Sequence, residues 1–320
     1  MSDIKDILKM AKKELGDDIA YLIDEGLDIK VDVIPTGIAG IDEATGIGGI
    51  PRGRITEVYG REASGKTTLC LHVIKEAQKL GLGTAFIDVE HSISFDRMRE
   101  IGLDTSKIVF SQPDSGEQAL NLVEILVRSN KFGLIVIDSV AALIPQVEVE
   151  KDMGDSVMGV HAKLLSQAMR KLTAPTSKSN TALLFVNQTR SKIGVMWGNP
   201  ETTTGGVALK FYSSLRMRMA YTGKIKSDGI QVASKGKVQI VKNKLAVPFK
   251  EAEFEIGKYG IDGSGTLIDE LVEAGVIEKA GSFYKLDGEV LAQGARALSK
   301  LLKEDEDLKE KLMGLLHKEK

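Results

Sequence analysis

Residues 60–67, Gly60-Arg61-Glu62-Ala63-Ser64-Gly65-Lys66-Thr67, fill the pattern G-x-x-x-x-G-K-[ST] completely, and no other stretch constrains the fold as strongly. The preceding RITEVYG reads as a buried strand, and a helix is predicted from about Lys66 to Leu80, which is the context a P-loop requires. Glycines let the backbone wrap an anion with its N–H groups pointing inward, and the helix N-terminus adds a favourable dipole. Three further runs, TAFIDVE, GLIVIDSV and TALLFVNQ, are short, aliphatic and β-branched, with helical stretches between them. Apolar strands with polar C-terminal ends, joined by helices, describe a mainly parallel sheet covered on both faces.

Ligands of such sheets collect at the carboxyl ends of the strands, where Glu90, Asp138 and Gln188 fall. The predicted class is therefore α/β, a P-loop NTPase core. Lys66 can reach β- and γ-phosphates, Thr67 offers a hydroxyl to Mg²⁺, and Asp138 with Ser139 beside it forms a Walker-B-like strand end. Gly60 to Gly65 and Thr68 complete the phosphate-binding segment. Glu90 is the candidate base that orients water. Asp88 reads as a structural acceptor, His91 as a surface or supporting residue, and Cys70 as a small buried hydrophobe.

The chain has 320 residues, with 43 Lys and Arg against 45 Asp and Glu, so no global basic field draws it to nucleic acid or membrane. One cysteine excludes a disulfide scaffold and a Cys-based zinc cluster and fits a reducing compartment. Its apolar runs are far shorter than the ~20 residues of a membrane helix, and the N-terminus lacks the features of a signal peptide. The expectation is a cytoplasmic protein with no membrane partner. Residues 1–30 read as a helical arm, with Ile4, Leu8, Ala11 and Leu15 on one face and Gly16 as its stop. That face would pack on its own domain or on another protomer. Residues 31–261 form the core, and 262–320 a small C-terminal α/β domain. The latter contains a hairpin turning at Asp287-Gly288 and a charged helix with Leu308, Leu312 and Leu315 as its buried stripe.

Two segments exceed ordinary connections, 148–161 and 189–206, both rich in Gly, Ser and Thr and each following a core strand. They read as long loops without secondary structure, which are functional or disordered. Residues 224–250 carry seven Lys and one Asp, either a polyanion patch or a solvated hairpin.

The stretches DSVAALIPQVEVE, MGDSVMG, LLSQAMRKL, NQTRSKIGVMWGNPETTTGG, ALKFYSS and KVQIVKNKLAVPFKEAEFEI closely resemble the bacterial RecA recombinase family, from about residue 33 to 285. The resemblance implies a DNA-dependent ATPase. It would form a helical homo-oligomeric filament on single-stranded DNA, with ATP and Mg²⁺ between neighbours, and catalyse pairing and strand exchange with homologous duplex DNA. A self-cleaving repressor of the SOS response is a further implied partner. Gln188 resembles the γ-phosphate sensor, Lys242 and Lys244 the cations that reach a neighbour's γ-phosphate, and Phe211 the interface aromatic; by pattern alone Phe211 would be core. The two loops resemble the family's DNA-binding loops. Their implied contacts are Met158, Gly159, Arg190, Lys192, Ile193, Gly194, Thr202, Thr203, Thr204, Gly205 and Gly206, joined by Lys163, Ser166 and Arg170 on the following helix. Met158 and Ile193 are apolar tips suited to wedging between bases, and Trp197 favours packing over stacking.

The sequence also departs from the family. Ser94-Phe95-Asp96-Arg97 lacks the aromatic that usually stacks on adenine, and Arg97 can replace it through its planar guanidinium. Arg61 and Ala63 replace the usual Pro and Ser, and Lys163 replaces Arg. The acidic C-terminal run common in the family is missing, which predicts less autoinhibited DNA access. Two other classes compete: a ring-forming helicase motor, and a DNA-coating protein with a vestigial nucleotide site.

Overall fold

A ten-stranded mixed sheet organises the chain in the computed structural model, which describes residues 2–16, 20, 31–152, 159–191, 201–227 and 230–319. The chain divides into two units, Met1–Val31 and Asp32–Lys320. In the first, helix α1 (Ser2–Leu15) ends at Gly16, whose φ of 103° suits glycine. Leu8 and Ala11 are half-buried, while Ile4, Ile7, Met10 and Leu15 are exposed.

The second unit opens with β1 (Val33–Ile34), α2 (Ala39–Thr45) and β2 (Ile50–Pro51), then β3 (Ile55–Gly60) and α3 (Lys66–Lys79). There follow β4 (Thr84–Asp88), α4 (Phe95–Ile101), β5 (Ile108–Ser111), α5 (Gly116–Arg128), β6 (Leu134–Asp138), α6 (Gln146–Val149) and α7 (Val160–Ser179). Next are β7 (Ala182–Ser191), β8 (Glu201–Thr203), α8 (Ala208–Tyr212), β9 (Leu215–Ser227), β10 (Ile230–Asn243), β11 (Glu251–Gly257) and β12 (Gly260–Asp262). The C-terminal part contains α9 (Ser264–Glu273), β13 (Glu278–Ala280), β14 (Phe283–Leu286), β15 (Glu289–Gln293), α10 (Ala295–Glu304) and α11 (Glu306–Glu319).

The main sheet runs β12-β11-β10-β9-β3-β7-β6-β4-β5, with β8 on β7. The six strands from β9 to β5 are parallel, and β10, β11 and β12 extend them antiparallel. The extension uses the 224–250 segment, so those lysines lie largely on a long β9–β10 hairpin; Lys237 pairs with Glu251 on β11. Strand β3 is buried along its whole length because helices cover both faces. One core joins α3 to Val58, Phe86, Val136, Leu184 and Met217, and the other joins α5 and α7 to Ile87, Ile137, Leu183 and Phe185. Cys70 is fully buried in the first.

A third core lies within the C-terminal residues, built on Leu267, Leu271, Tyr284, Leu298 and Leu312. Asp287 and Gly288 both take positive φ, forming the expected hairpin turn. The helix stripe differs by one position. Leu316 is buried with Leu312, while Leu308 and Leu315 are only partly so, because the helix restarts after Asp305, which caps the Leu308 amide at 2.8 Å. Among the described residues no helix is long and apolar enough to cross a membrane.

Candidate active site and nucleic-acid interface

The parallel strands align their C-terminal ends. Gly60 stands beside Gln188 in register and Asp88 beside Asp138, which gathers the predicted polar residues at one edge. Gly60 is close-packed, since a Cβ there would lie 2.1 Å from the Met219 carbonyl oxygen. Gly65 takes φ 92° and opens α3. Lys66 Nζ donates to the Arg61 carbonyl at 2.8 Å, spanning the turn where phosphates would sit. Burial lowers its pKa, a cost that Asp138 and Glu90 offset. The Ser64 hydroxyl is buried without a protein partner, as expected of a donor reserved for a ligand.

Thr67 Oγ1 donates to Asp138 Oδ2 at 2.6 Å. Burial pushes the Asp138 carboxyl up to about 6, with the Thr67 bond acting in the opposite sense. Two hard oxygen donors, one anionic, beside a phosphate cradle fit Mg²⁺, which usually keeps several waters and binds through few protein groups. Among the described residues no set of three or more His, Cys, Asp or Glu forms an alternative metal site.

Glu90 lies just beyond β4, with the Val89 and Glu90 amides donating to the Asp138 carbonyl at 2.7 and 3.3 Å. Its Oε1 accepts from both the Ser139 hydroxyl and Gln188 Nε2, the latter at 2.8 Å. Asp88 is the structural acceptor expected: it is buried and takes the Ser92 and Ile93 amides and Gln112 Nε2, shaping the turn that carries Glu90. His91 is exposed at φ 54°.

Arg97 is the residue expected to stack on the base. Its guanidinium donates to the carbonyls of Gly257, at 2.9 Å, and Lys258, tying α4 to the β11–β12 turn. Phe211 is 66% exposed, not core, because α8 is a single short turn whose other face seats Leu209. The carbonyls at the end of α8 accept from Lys242 Nζ (Lys210 O 2.7 Å, Phe211 O 2.9 Å) and Lys244 Nζ (Phe211 O 3.3 Å). Burial, reinforced by Lys244 and Arg216, lowers the Lys242 pKa to about 8. A cavity of about 530 Å³ adjoins this patch, lined by Arg54, Thr173, Phe211 and Lys244.

The loop expectation is corrected at its flanks. Strand β7 continues to Ser191 and pairs antiparallel with β8, Arg190 opposite Thr202 and Thr189 opposite Thr203, because this Thr-rich stretch suits a β-ribbon. The first segment is likewise bounded by α6 and α7. Gly159 caps α7 at φ 77°; Lys163 and Arg170 are exposed on that helix, and Arg170 donates to Ser166 Oγ at 3.0 Å. Gly205 and Gly206 both take positive φ against α7, where a Cβ would lie 2.1 Å from Leu165 Cδ1 and 2.9 Å from Ala162 Cβ respectively. The flanks of the two segments thus share one wall. Met158, Lys192, Ile193, Gly194 and Trp197 lie outside the described residues.

Sequence reasoning missed a buried polar cluster on one face of β3, β7 and β9. Glu57, fully buried, accepts from Arg216 Nε at 2.5 Å and Asn187 Nδ2 at 2.8 Å, and Arg216 lies 4.6 Å over the Tyr59 ring. A charge inside a continuous apolar strand was the available signal, since such charges are buried only with partners.

The family model described as RecA N-terminal domain matches residues 2–262, and that described as RecA C-terminal domain matches 265–319. The chain is 53% identical over 303 residues to Protein RecA of Chlorobaculum tepidum, covering 94% of this chain and 85% of that one. It is 50% identical over 312 residues to Protein RecA of Thermus aquaticus, covering 97% and 92%. The crystal structure of the RadB recombinase shares the fold, with TM-score 0.54 and 23% identity over 72% of this chain and 98% of that one. With family models spanning both the nucleotide core and the C-terminal part, the chain belongs to the RecA family.

Proposed function

We propose that this RecA-family ATPase works in the cytoplasm as a filament on single-stranded DNA, with ATP held between adjacent copies, and pairs that strand with a homologous duplex. One observation carries the filament reading: the two halves of the γ-phosphate machinery sit at opposite ends of the sheet. Lys66, Thr67, Asp138, Glu90 and Gln188 line the edge at Gly60, whereas Lys242 pairs with Arg216 near the start of β3. The separation is about 10 Å along the strands, three residues from Glu57 to Gly60, and about 10 Å across two strand spacings. Lys242 and Lys244 therefore serve another copy's site, and the exposed Phe211 between them supplies an apolar contact for it.

Within the site, amides from Gly60 to Thr68 and the Lys66 ammonium grip the phosphates, and the Glu90 carboxylate orients the attacking water. Thr67 and Asp138, the latter through water, would hold Mg²⁺, which when bound offsets charge on the phosphate oxygens. Gln188 Nε2 donates to Glu90 Oε1 at 2.8 Å. Turning its amide toward a γ-phosphate breaks that bond and shifts the tip of β7, from which the second DNA-binding segment departs. Ordering of Gly159, Lys163, Arg170, Arg190 and Thr202–Thr204 for phosphate contacts then depends on ATP, and hydrolysis releases the strand. A self-cleaving repressor is a further partner of such a filament.

Mixing two inactive variants tests this arrangement. Lys66→Ala disables a copy's own site but leaves its Lys242 face intact, and Lys242→Ala does the reverse. Mixed on single-stranded DNA, they restore part of the ATP turnover, because some junctions combine two intact halves. If the mixture stays as inactive as either variant alone, the shared site is wrong. Homologous strand exchange by the unmutated protein, measured beside it, separates a recombinase from a ring motor or a coating protein.

A further inference from the structure

We infer that Asn187, next to the sensor Gln188, is a positioning residue that transmits nucleotide state to both DNA-binding segments through a buried hydrogen-bonded relay; this rests on the nucleotide-switched reading above. Asn187 is fully buried and uses both ends of its amide. Its Oδ1 accepts the Gln188 amide at 2.8 Å and the Thr204 hydroxyl at 2.5 Å, while its Nδ2 donates to Glu57 Oε1 at 2.8 Å and the Thr204 carbonyl at 3.2 Å. The Thr204 amide in turn donates to the Gln188 carbonyl at 3.3 Å. The sensor and the return flank of the second segment are thus bonded to each other and to the same side chain.

Two rigid attachments make the relay directional. Glu57 fixes Asn187 to β3, the strand that ends in the P-loop, and Arg216 holds Glu57 from β9. Arg216 is the register partner of Lys242, so the anchor also meets the strand bearing the proposed trans cations. On the output side, Thr204 leads directly to Gly205 and Gly206, which lie against Leu165, Val140 and Ala162 with no room for a Cβ. A shift of β7 at Gln188 must therefore move Thr204, and Gly205-Gly206 must press on or release the start of α7. Helix α7 carries Lys163 and Arg170 and begins where the first segment ends. Packed elements of this kind respond by switching between arrangements rather than by gradual deformation.

The test compares affinity for a fluorescent oligo-dT, with and without a non-hydrolysable ATP analogue, in the full-length protein and its Asn187→Leu variant. The unmutated protein should show tightening on the order of 5- to 150-fold, the usual range of such couplings. In Asn187→Leu the ratio should fall toward one, while analogue affinity and nucleotide-free DNA affinity stay within about twofold. A merely structural role for Asn187 would lower all three together. If the variant does not fold, amide hydrogen exchange on the unmutated protein decides: the analogue should change protection at Gln188, Thr204 and the first turn of α7 in concert. Full coupling in Asn187→Leu, a parallel loss of every affinity, or exchange that changes at Gln188 alone overturns the relay. A ratio of one in the unmutated protein would remove the nucleotide switch itself and the relay with it.

Discussion

His72 ties the P-loop helix to the last strand of the main sheet, and acid should undo that tie. It lies two turns into α3, and its Nε2 accepts the Ile261 amide of β12 at 2.9 Å. Gly260 makes room for the ring, since a Cβ there would sit 2.3 Å from Nε2. An acceptor nitrogen must be unprotonated, and burial, aided by Lys75, Arg97 and Lys309, lowers the pKa from 6.5 to about 4. A depressed histidine pKa stabilises the fold fully above about 6.5, and that contribution is lost as pH falls toward 4. At pH 5 the deficit is about 1.5 pH units, or about 2 kcal/mol. His72→Gln retains an acceptor without a titrating group. Urea unfolding of both proteins at pH 8 and pH 5 should therefore show the unmutated protein losing about 2 kcal/mol more than the variant. Burial raises the Asp42 pKa to about 7, which favours the fold as pH falls below 7; both proteins carry it, so it cancels. Faster exchange of the Ile261 amide at pH 5, in the unmutated protein only, locates the loss. Parallel pH profiles for the two proteins would refute the assignment.

Glu90→Gln should lower DNA-stimulated ATP turnover by about 10²- to 10⁴-fold, the usual worth of a positioned base, while ATP binding and DNA retention persist in a filter-binding assay. Affinity for single-stranded DNA should fall with salt at a log–log slope of about −0.7 per phosphate neutralised; a flat titration would count against Lys163, Arg170 and Arg190 as contacts. Arg216→Met strands the fully buried Glu57 carboxylate and should cost about 3–5 kcal/mol in urea unfolding, with Glu57→Gln in the same chain recovering most of it. In the proposed head-to-tail assembly a row of n copies has n − 1 complete sites, so turnover per copy on an oligonucleotide that seats two should be about half that on long DNA. Equal turnover at every DNA length would instead point to a closed ring.

The nucleotide edge was legible because its chemistry is local. Gly60 to Thr67 are contiguous, and Glu90, Asp138 and Gln188 each end an apolar run, so a parallel sheet brings them together without knowledge of strand order. What escaped was everything set by pairing across the sheet. The alternation in Glu251-Ala252-Glu253-Phe254 marks a half-buried strand, yet only the register shows that β11 extends the sheet antiparallel through β10. Thr202–Thr204 read as part of a loop because a ribbon on β7 depends on the distant Thr189 and Arg190. Phe211 looks like core by type and is exposed because α8 ends one residue later. Glu57, Asn187 and Arg216 are separated by up to 159 residues, and no spacing rule joins them.

The reversal at β10 gives the protein its polarity. Strand β9 enters parallel to β3, so had the chain stopped there, every functional side chain would cluster at the carboxyl edge. Because β10 runs back, the residues at its C-terminal end, Lys242 to Lys244, emerge at the opposite edge beside Phe211. In the proposed assembly, with Glu90, Thr67 and Asp138 at one edge and Lys242 and Lys244 at the other, a site is completed only when a second copy docks in the same orientation. Such a contact is heterologous, joining unlike surfaces, and it repeats without closing unless the rotation returns it to its start. The relay through Asn187 begins at the first edge, and its Arg216 anchor lies beside Lys242 at the second. In that proposal, occupancy of one junction bears on the strand that completes the next, and the flanks proposed to contact DNA move with both.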